Sequence, residues 1–595
     1  MPRLYRAVAT GMAVMLVVSC TRSGVDKTPA SVSDASSPKA AEDIVVTGSK
    51  VGGPPAQRRV EGYVADAALA PPPPPSPAAP PPPAMPSLMA APIVVTSTRV
   101  NALVAERYAP PLRPYQEVGR DRFTATQENA FKIAREEPVS TFSIDVDTAS
   151  YSFVRASLNQ NVLPQPAAVR TEEMVNYFPY DYAAPRTAEQ PFSTSVAVFP
   201  SPWTNGRKLV RIGIRGYAIR KATRPHANLV FLIDTSGSMY APNKLPLVKQ
   251  SLGMLLDQLD GDDTVAIVTY AGTAGTALAP TPASQKAKIR AVIDGLGAGG
   301  STAGAEGIRQ AYALAEQNLD PHGVNRVILA TDGDFNVGIT NQDELKGYVE
   351  RERGKGVFLS VLGFGMGNYN DALMQALAQN GNGAAAYIDT VSEARKTLVD
   401  EATSTLFPIA KDVKIQIEFN PATVAEYRLI GYETRMLNRE DFDNDKVDAG
   451  DVGSGQTVTA LYEVVPVGGP RANGDLRYAA PAAEPRVAHG TELGFVKIRY
   501  KLPKSDTSRL ISTPIDRAGE AARFEDAPED ARFATGVVAF AELLRGGRYS
   551  GSMSYDDVLK IASAARGEDA FGYRSEFIQL VRAARSAGSL ARLER

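Results

Sequence analysis

The sequence predicts an α/β protein: a doubly wound parallel-sheet domain over residues 226–405, inserted between β-sandwich-like flanks, with a helical C-terminal part and a disordered N-terminal tether. Three observations predict it. Residues 226–405 alternate apolar strand-like runs with helix-spaced segments, the pattern of a parallel sheet covered on both faces. Period-two alternation, the mark of strands with one buried face, runs through residues 192–219 and returns after residue 410. Proline is concentrated in one block near the N-terminus, at residues 71–86, where no core can form.

Composition narrows the function classes. The chain has 595 residues, 44% of them hydrophobic, enough for several buried cores. Length sets a prior of about three to four domains. Lys and Arg number 64 against 66 Asp and Glu, so no broad basic surface favours nucleic acid. One cysteine and three histidines exclude a Cys/His zinc cluster, which draws about four ligands from those types.

Taken in order, residues 1–20 read as an export signal. Arg3 and Arg6 supply positive charge, and residues 7–18 form an apolar run of roughly a dozen, too short to span a bilayer. The run ends Val17-Val18-Ser19-Cys20, which resembles the lipobox of bacterial lipoproteins. That resemblance implies lipidation at Cys20. Thr21 follows rather than Asp, which by the same resemblance implies an outer-membrane anchor facing the periplasm.

Residues 21–125 read as a Pro/Ala-rich tether, with the proline block favouring extended polyproline II at about 3.1 Å per residue. Within it, Ile44-Val45-Val46-Thr47 is echoed by Ile93-Val94-Val95-Thr96, β-prone runs suited to strand addition. Residues 126–225 form an N-terminal associated region, with helices expected at 129–136, 152–158 and 171–177 before the strands. Residues 406–525 are β-rich, with strands at 413–419, 458–465 and 493–501. Residues 526–595 turn helical, with apolar residues at helical spacing over 533–544, 555–564 and 577–584.

Inside residues 226–405, Leu229-Val230-Phe231-Leu232-Ile233 is an unbroken apolar run, as a central strand buried on both faces requires. It ends in Asp234-Thr235-Ser236-Gly237-Ser238. Oxygen side chains at alternate positions converge where a strand gives way to a loop. The carboxyl end of a parallel strand is also where this architecture binds ligands. A second loop carries Gly299-Gly300-Ser301-Thr302, and a third, again after a strand, carries Thr331-Asp332-Gly333.

These three loops resemble the metal-ion-dependent adhesion site of von Willebrand factor type A domains. Position by position, the resemblance implies Asp234, Ser236, Ser238, Thr302 and Asp332 as ligands. Hard oxygen donors suit Mg²⁺, with Mn²⁺ or Ca²⁺ as alternatives. The resemblance further implies a protein partner that offers an acidic side chain to the metal, and a last helix, near residues 391–403, able to shift. Phe142-Ser143-Ile144-Asp145, Glu172-Glu173-Met174 and Tyr427-Arg428-Leu429 extend the likeness to bacterial A-domain lipoproteins over residues 128–590. The function expected is therefore binding, not catalysis.

The alternative is a metal-dependent hydrolase. Asp145-Val146-Asp147-Thr148 resembles the nucleophile loop of haloacid dehalogenase-type phosphatases, with Asp145 as nucleophile, Asp147 as acid/base and Asp262-Asp263 near the metal. The run before it, Val139-Ser140-Thr141-Phe142-Ser143, is too polar for that fold's buried strand.

Overall fold

The computed structural model of the protein describes residues 121–144, 147–301, 304–333, 342–367, 369–474 and 490–593. Cys20, the proline block and the repeated Ile-Val-Val-Thr runs lie outside the described residues, as do Asp145 and Thr302.

The N-terminal flank contributes β1 (Lys132–Ile133), β2 (Val139–Ser143), β3 (Phe192–Pro200) and β4 (Lys208–Gly216). The inserted domain contributes β5 (Ala227–Asp234), β6 (Thr264–Tyr270), β7 (Ala274–Pro282), β8 (Val324–Thr331), β9 (Val357–Phe364) and β10 (Ala385–Ile388). The C-terminal flank adds β11 (Pro408–Phe419), β12 (Val424–Ile430), β13 (Met436–Leu437) and β14 (Val452–Gly453). It closes with β15 (Thr457–Pro466), β16 (Glu492–Lys501) and β17 (Ser508–Asp516).

The inserted domain is a sheet of order β10-β9-β8-β5-β6-β7, parallel except for β7, which runs antiparallel to β6. Every residue of β5 and β8 is buried. Alternate residues of β5 feed two cores, as a strand covered on both faces must. Val230 and Leu232 pack with the helices Gly304–Gln317, Gln342–Gly354 and Asp371–Asn380. Leu229, Phe231 and Ile233 pack with Leu245–Gln258 and Lys286–Gly295. Each large apolar side chain buried this way contributes about 1.5–3 kcal/mol.

Both flanks combine into one β-sandwich. Its sheets are ordered β1-β12-β15-β4-β3 and β13-β2-β11-β16-β17, with β14 on β11. Their inner faces meet in a shared core that includes Phe142, Val210, Ile212, Ile415, Tyr462 and Ile498. The helices Glu529–Arg545, Tyr555–Ala564 and Tyr573–Leu593 pack against Ala149–Asn159 and Thr171–Asn176 in a further core.

Two local expectations fail. Residues 129–136 form β1 and a turn rather than a helix, because Lys132 and Ile133 pair with Tyr427 and Glu426 of β12. The Asn129 amide also donates to the carbonyls of Leu429 and Gly431, so long-range pairing overrides weak helix propensity. The last helix is not continuous either: α-helix Val391–Arg395 gives way to a π-turn, Lys396–Asp400, and then to α-helix Ala402–Leu406. The wider turn accompanies buried Lys396, whose ammonium pairs with Glu401 at 2.5 Å and lies 4.4 Å from the Tyr177 ring centroid.

Candidate metal-binding site

The site sits at the carboxyl edge of the parallel sheet because β5 is central. Its parallel neighbours β6 and β8 bring Tyr270 and Thr331 to the same level as Asp234. The Asp234 carboxylate is fully buried and held from three sides. Oδ1 accepts the backbone N–H of Ser236 at 2.9 Å; Oδ2 accepts the hydroxyls of Tyr270 at 3.2 Å and Thr331 at 3.3 Å.

The loop after β5 is fixed by its neighbours. Thr235 N–H donates to the Tyr270 carbonyl at 2.9 Å, Gly237 N–H to the Gly300 carbonyl at 3.0 Å, and Gly299 N–H to the Thr235 carbonyl at 2.8 Å. Gly300 holds φ +87° in this clamp, a conformation that favours glycine, and a Cβ there would meet the Gly272 nitrogen at 3.3 Å. The chain immediately before Thr302 is thereby bonded to the Asp-x-Ser loop. Ser236 is buried and Ser238 exposed, with their hydroxyl oxygens 3.0 Å apart.

Asp332 follows β8 and is 1% exposed. Its Oδ2 accepts from the Lys244 ammonium at 2.8 Å. Lys244 precedes the helix Leu245–Gln258, and its stem runs over Gly365, where a Cβ would lie 2.5 Å from Lys244 Cε. Neither Lys244 nor Tyr270 stands out in the sequence. Lys244 lies in a polar loop with no motif, and Tyr270 reads as the last apolar residue of a strand.

Burial pushes the Asp234 carboxyl up to about 6, and the nearby Asp332 charge adds to the rise against the hydrogen bonds from Ser236 and Tyr270. Burial, reinforced by Asp234, also holds the Tyr270 phenol well above its ordinary range, so it stays a donor. The arrangement concentrates negative charge that an incoming cation would offset.

The donor set fits a small hard cation. Two ligand oxygens at right angles, each about 2.1 Å from an octahedral Mg²⁺, lie ~3.0 Å apart. The Ser236 and Ser238 hydroxyls, hydrogen-bonded to each other at 3.0 Å, are compatible with that spacing. Among the described residues no three Asp, Glu, His or Cys side chains gather as a metal cluster. A cation held here would rest on two carboxylates and neighbouring neutral hydroxyls.

The residues of the alternative reading are placed differently. Asp147 is 2% exposed; its Oδ1 accepts the Ala385 N–H at 2.8 Å and its Oδ2 accepts from Arg435 at 2.9 Å. It ties the sandwich to the inserted domain. Asp263 pairs with Arg224 at 2.5 Å and accepts the Ala227 N–H at 2.8 Å, far along β5 from Asp234.

Family models match along the chain in the same order as these parts. They are described as "von Willebrand factor" at residues 117–211, "von Willebrand factor type A domain" at residues 228–401 and "Uncharacterized protein YfbK, C-terminal" at residues 404–587. Fold and sequence together define a bacterial protein built on a von Willebrand factor type A domain, which supports a role in protein interaction or adhesion.

The family can be given more closely. The chain is 44% identical over 470 residues to "Uncharacterized protein YfbK" of Escherichia coli (strain K12), covering 78% of this chain and 81% of that one, and it belongs to that family. It is also 30% identical over 225 residues to human inter-alpha-trypsin inhibitor heavy chain H4, covering 35% of this chain and 24% of that protein. Among solved structures, a von Willebrand factor type A protein from Catenulispora acidiphila is similar over 67% of this chain and 91% of its own, at 15% identity and TM-score 0.38.

Proposed function

We propose that the protein is an envelope-tethered adhesion or scaffolding protein that binds a protein partner through Mg²⁺ held by Asp234, Ser236, Ser238, Thr302 and Asp332. One observation carries the reading: Asp234 and Asp332 lie at one sheet edge with two serine hydroxyls 3.0 Å apart, compatible with adjacent octahedral ligands. When bound, the cation supplies a Lewis-acidic coordination position for a partner's carboxylate.

The chain's own residues do the rest. Tyr270 and Thr331 orient Asp234, while the Gly299–Gly300 clamp fixes the serine loop. Lys244 serves as the resident counter-charge on Asp332, a role that a bound cation would take over. Burial of both carboxylates strengthens their pull on a cation relative to an exposed pair. The lipobox-like Cys20 and the proline-rich segment support a role at the membrane surface, with Cys20 as lipid anchor and the outer membrane, periplasmic face, as location.

The test is a pull-down from envelope extract with the full chain, run in Mg²⁺ and in EDTA, beside Asp332→Ala. The reading expects partners recovered with Mg²⁺ by the wild type alone. Identical recovery in EDTA, or by Asp332→Ala, would remove it.

A further inference from the structure

The segment read from the sequence as a tether runs to residue 125, yet its last residues are bound to the inserted domain. The Arg122 N–H donates to the Tyr369 carbonyl at 2.9 Å, and Arg122 pairs in parallel with Asn370. The Phe123 ring lies edge-on to Phe153, with centroids 4.5 Å apart. Asp121 is 5% exposed, and its Oδ1 accepts the N–H groups of Gly367 at 2.9 Å and Tyr369 at 2.8 Å.

Those two N–H groups belong to the loop after β9, and the same loop lies under Lys244. The Lys244 stem crosses Gly365, where a Cβ would be 2.5 Å from Cε and 2.7 Å from Cγ. Gly365 also holds φ +74°, a conformation that favours glycine. One loop therefore meets Asp121 at Gly367 and, two residues earlier, the lysine that neutralises Asp332.

Among the described residues, backbone N–H groups are the only hydrogen-bond donors to the Asp121 carboxylate, and both fall on Oδ1. Oδ2 is left for a further donor. Burial holds this carboxyl above its ordinary value, while the N–H groups of Tyr369 and Gly367 and the charge of Lys244 oppose the rise. A buried carboxylate is costly without a paired charge, and an ammonium in contact with it would lower that cost.

Lys244 has the complementary need. Its ammonium pairs with Asp332 at 2.8 Å, and its side chain is 11% exposed, so little water is at hand to solvate it elsewhere. The four-carbon stem of a lysine is flexible, so the ammonium can change partner while the backbone stays in place.

We propose that Asp121 is a positioning residue for the candidate metal site, its Oδ2 receiving the Lys244 ammonium when Asp332 turns to a cation. The inference rests on the Mg²⁺ reading given above. It makes cation affinity depend on the segment through which the N-terminal part of the chain joins the fold.

The test is calorimetric titration of Mg²⁺ into metal-stripped full chain as wild type, Asp121→Asn, Lys244→Met and the double variant, each checked for folding by circular dichroism. Asparagine keeps an oxygen for the two N–H groups and removes the charge. Asp121→Asn is expected to weaken Mg²⁺ binding about 10-fold when Lys244 is present. In the Lys244→Met background, where no ammonium needs an acceptor, the same substitution should leave affinity unchanged. A role confined to shaping the loop would weaken binding equally in both backgrounds, and that result overturns the proposal. Unchanged affinity of Asp121→Asn beside a wild type that binds also overturns it, and leaves the Mg²⁺ reading standing. No binding by wild type ends both. A second measurement needs no variant: nuclear magnetic resonance of the lysine ammonium groups in Mg²⁺-saturated wild type. The Lys244 ammonium protons should stay protected from exchange, and rapid exchange with water would show the group released to solvent and overturn the proposal.

Discussion

Replacing Lys244 by methionine separates the resident ammonium from the cation we assign to the site. The Lys244–Asp332 pair is 2.8 Å long, with side chains 11% and 0% exposed, so solvent screens it little. Removing one partner of a buried ion pair costs about 3–5 kcal/mol. Methionine keeps most of the stem that passes over Gly365, so the loss is chiefly one of charge. The metal-free protein is therefore expected to lose about 3 kcal/mol in chemical denaturation. The Mg²⁺-bound protein loses less, because the cation takes over the neutralisation of Asp332. If half or more of the loss is recovered on binding, affinity tightens by roughly 10–100-fold. Calorimetric titration of Mg²⁺ into metal-stripped wild type and Lys244→Met, paired with denaturation with and without Mg²⁺, reads both effects. Unchanged or weaker Mg²⁺ binding by Lys244→Met would refute competition for Asp332.

Three further outcomes follow from the packing. Arg155 is 1% exposed and pairs with Glu393 at 2.7 Å and Glu576 at 3.1 Å while its Nε donates to Asp389 at 2.9 Å, joining three parts of the chain. Arg155→Met should cost about 3–5 kcal/mol in guanidinium denaturation, and a loss below 1 would contradict this. The buried Glu172 carboxyl is raised from 4.5 to about 7 by burial and then by Glu433 and Glu173. A raised acid favours the folded state below its unfolded value and loses that contribution as pH climbs through the folded one. Wild-type stability should thus fall between about pH 4.5 and 7, and Glu172→Gln should flatten that slope in denaturation curves taken across pH. Gly300→Ala should cost roughly 1–2 kcal/mol from its positive φ and weaken Mg²⁺ binding with it, measured by the same denaturation and calorimetry.

Much of this architecture is legible in the sequence because its signals are local. The apolar run Leu229–Ile233 announces a strand buried on both faces, and β5 has both faces covered. Alternation at residues 193–198 and 209–214 marks β3 and β4, although the pairing of β4 with β15 across the inserted domain is set by topology. Where long-range contacts decide, local reading fails. Residues 129–136 carry helix-forming side chains, yet pairing with β12 makes β1. The break after Arg395 coincides with Lys396 meeting Glu401 and Tyr177, contacts that no periodicity encodes.

The candidate site divides the same way. The spacing of Asp234, Ser236 and Ser238 is visible because one loop carries all three. Lys244 on Asp332 is not, because the two are brought together only by the fold.

The central claim is that two buried carboxylates and neighbouring hydroxyls at the edge of one sheet hold a divalent cation. Calorimetric titration of Mg²⁺ into metal-stripped full chain tests it most directly, with Asp234→Ala and Asp332→Ala checked for folding by circular dichroism. The account predicts one saturable site in wild type and none in either folded variant. Absence of binding by wild type, or equal binding by all three, would contradict it.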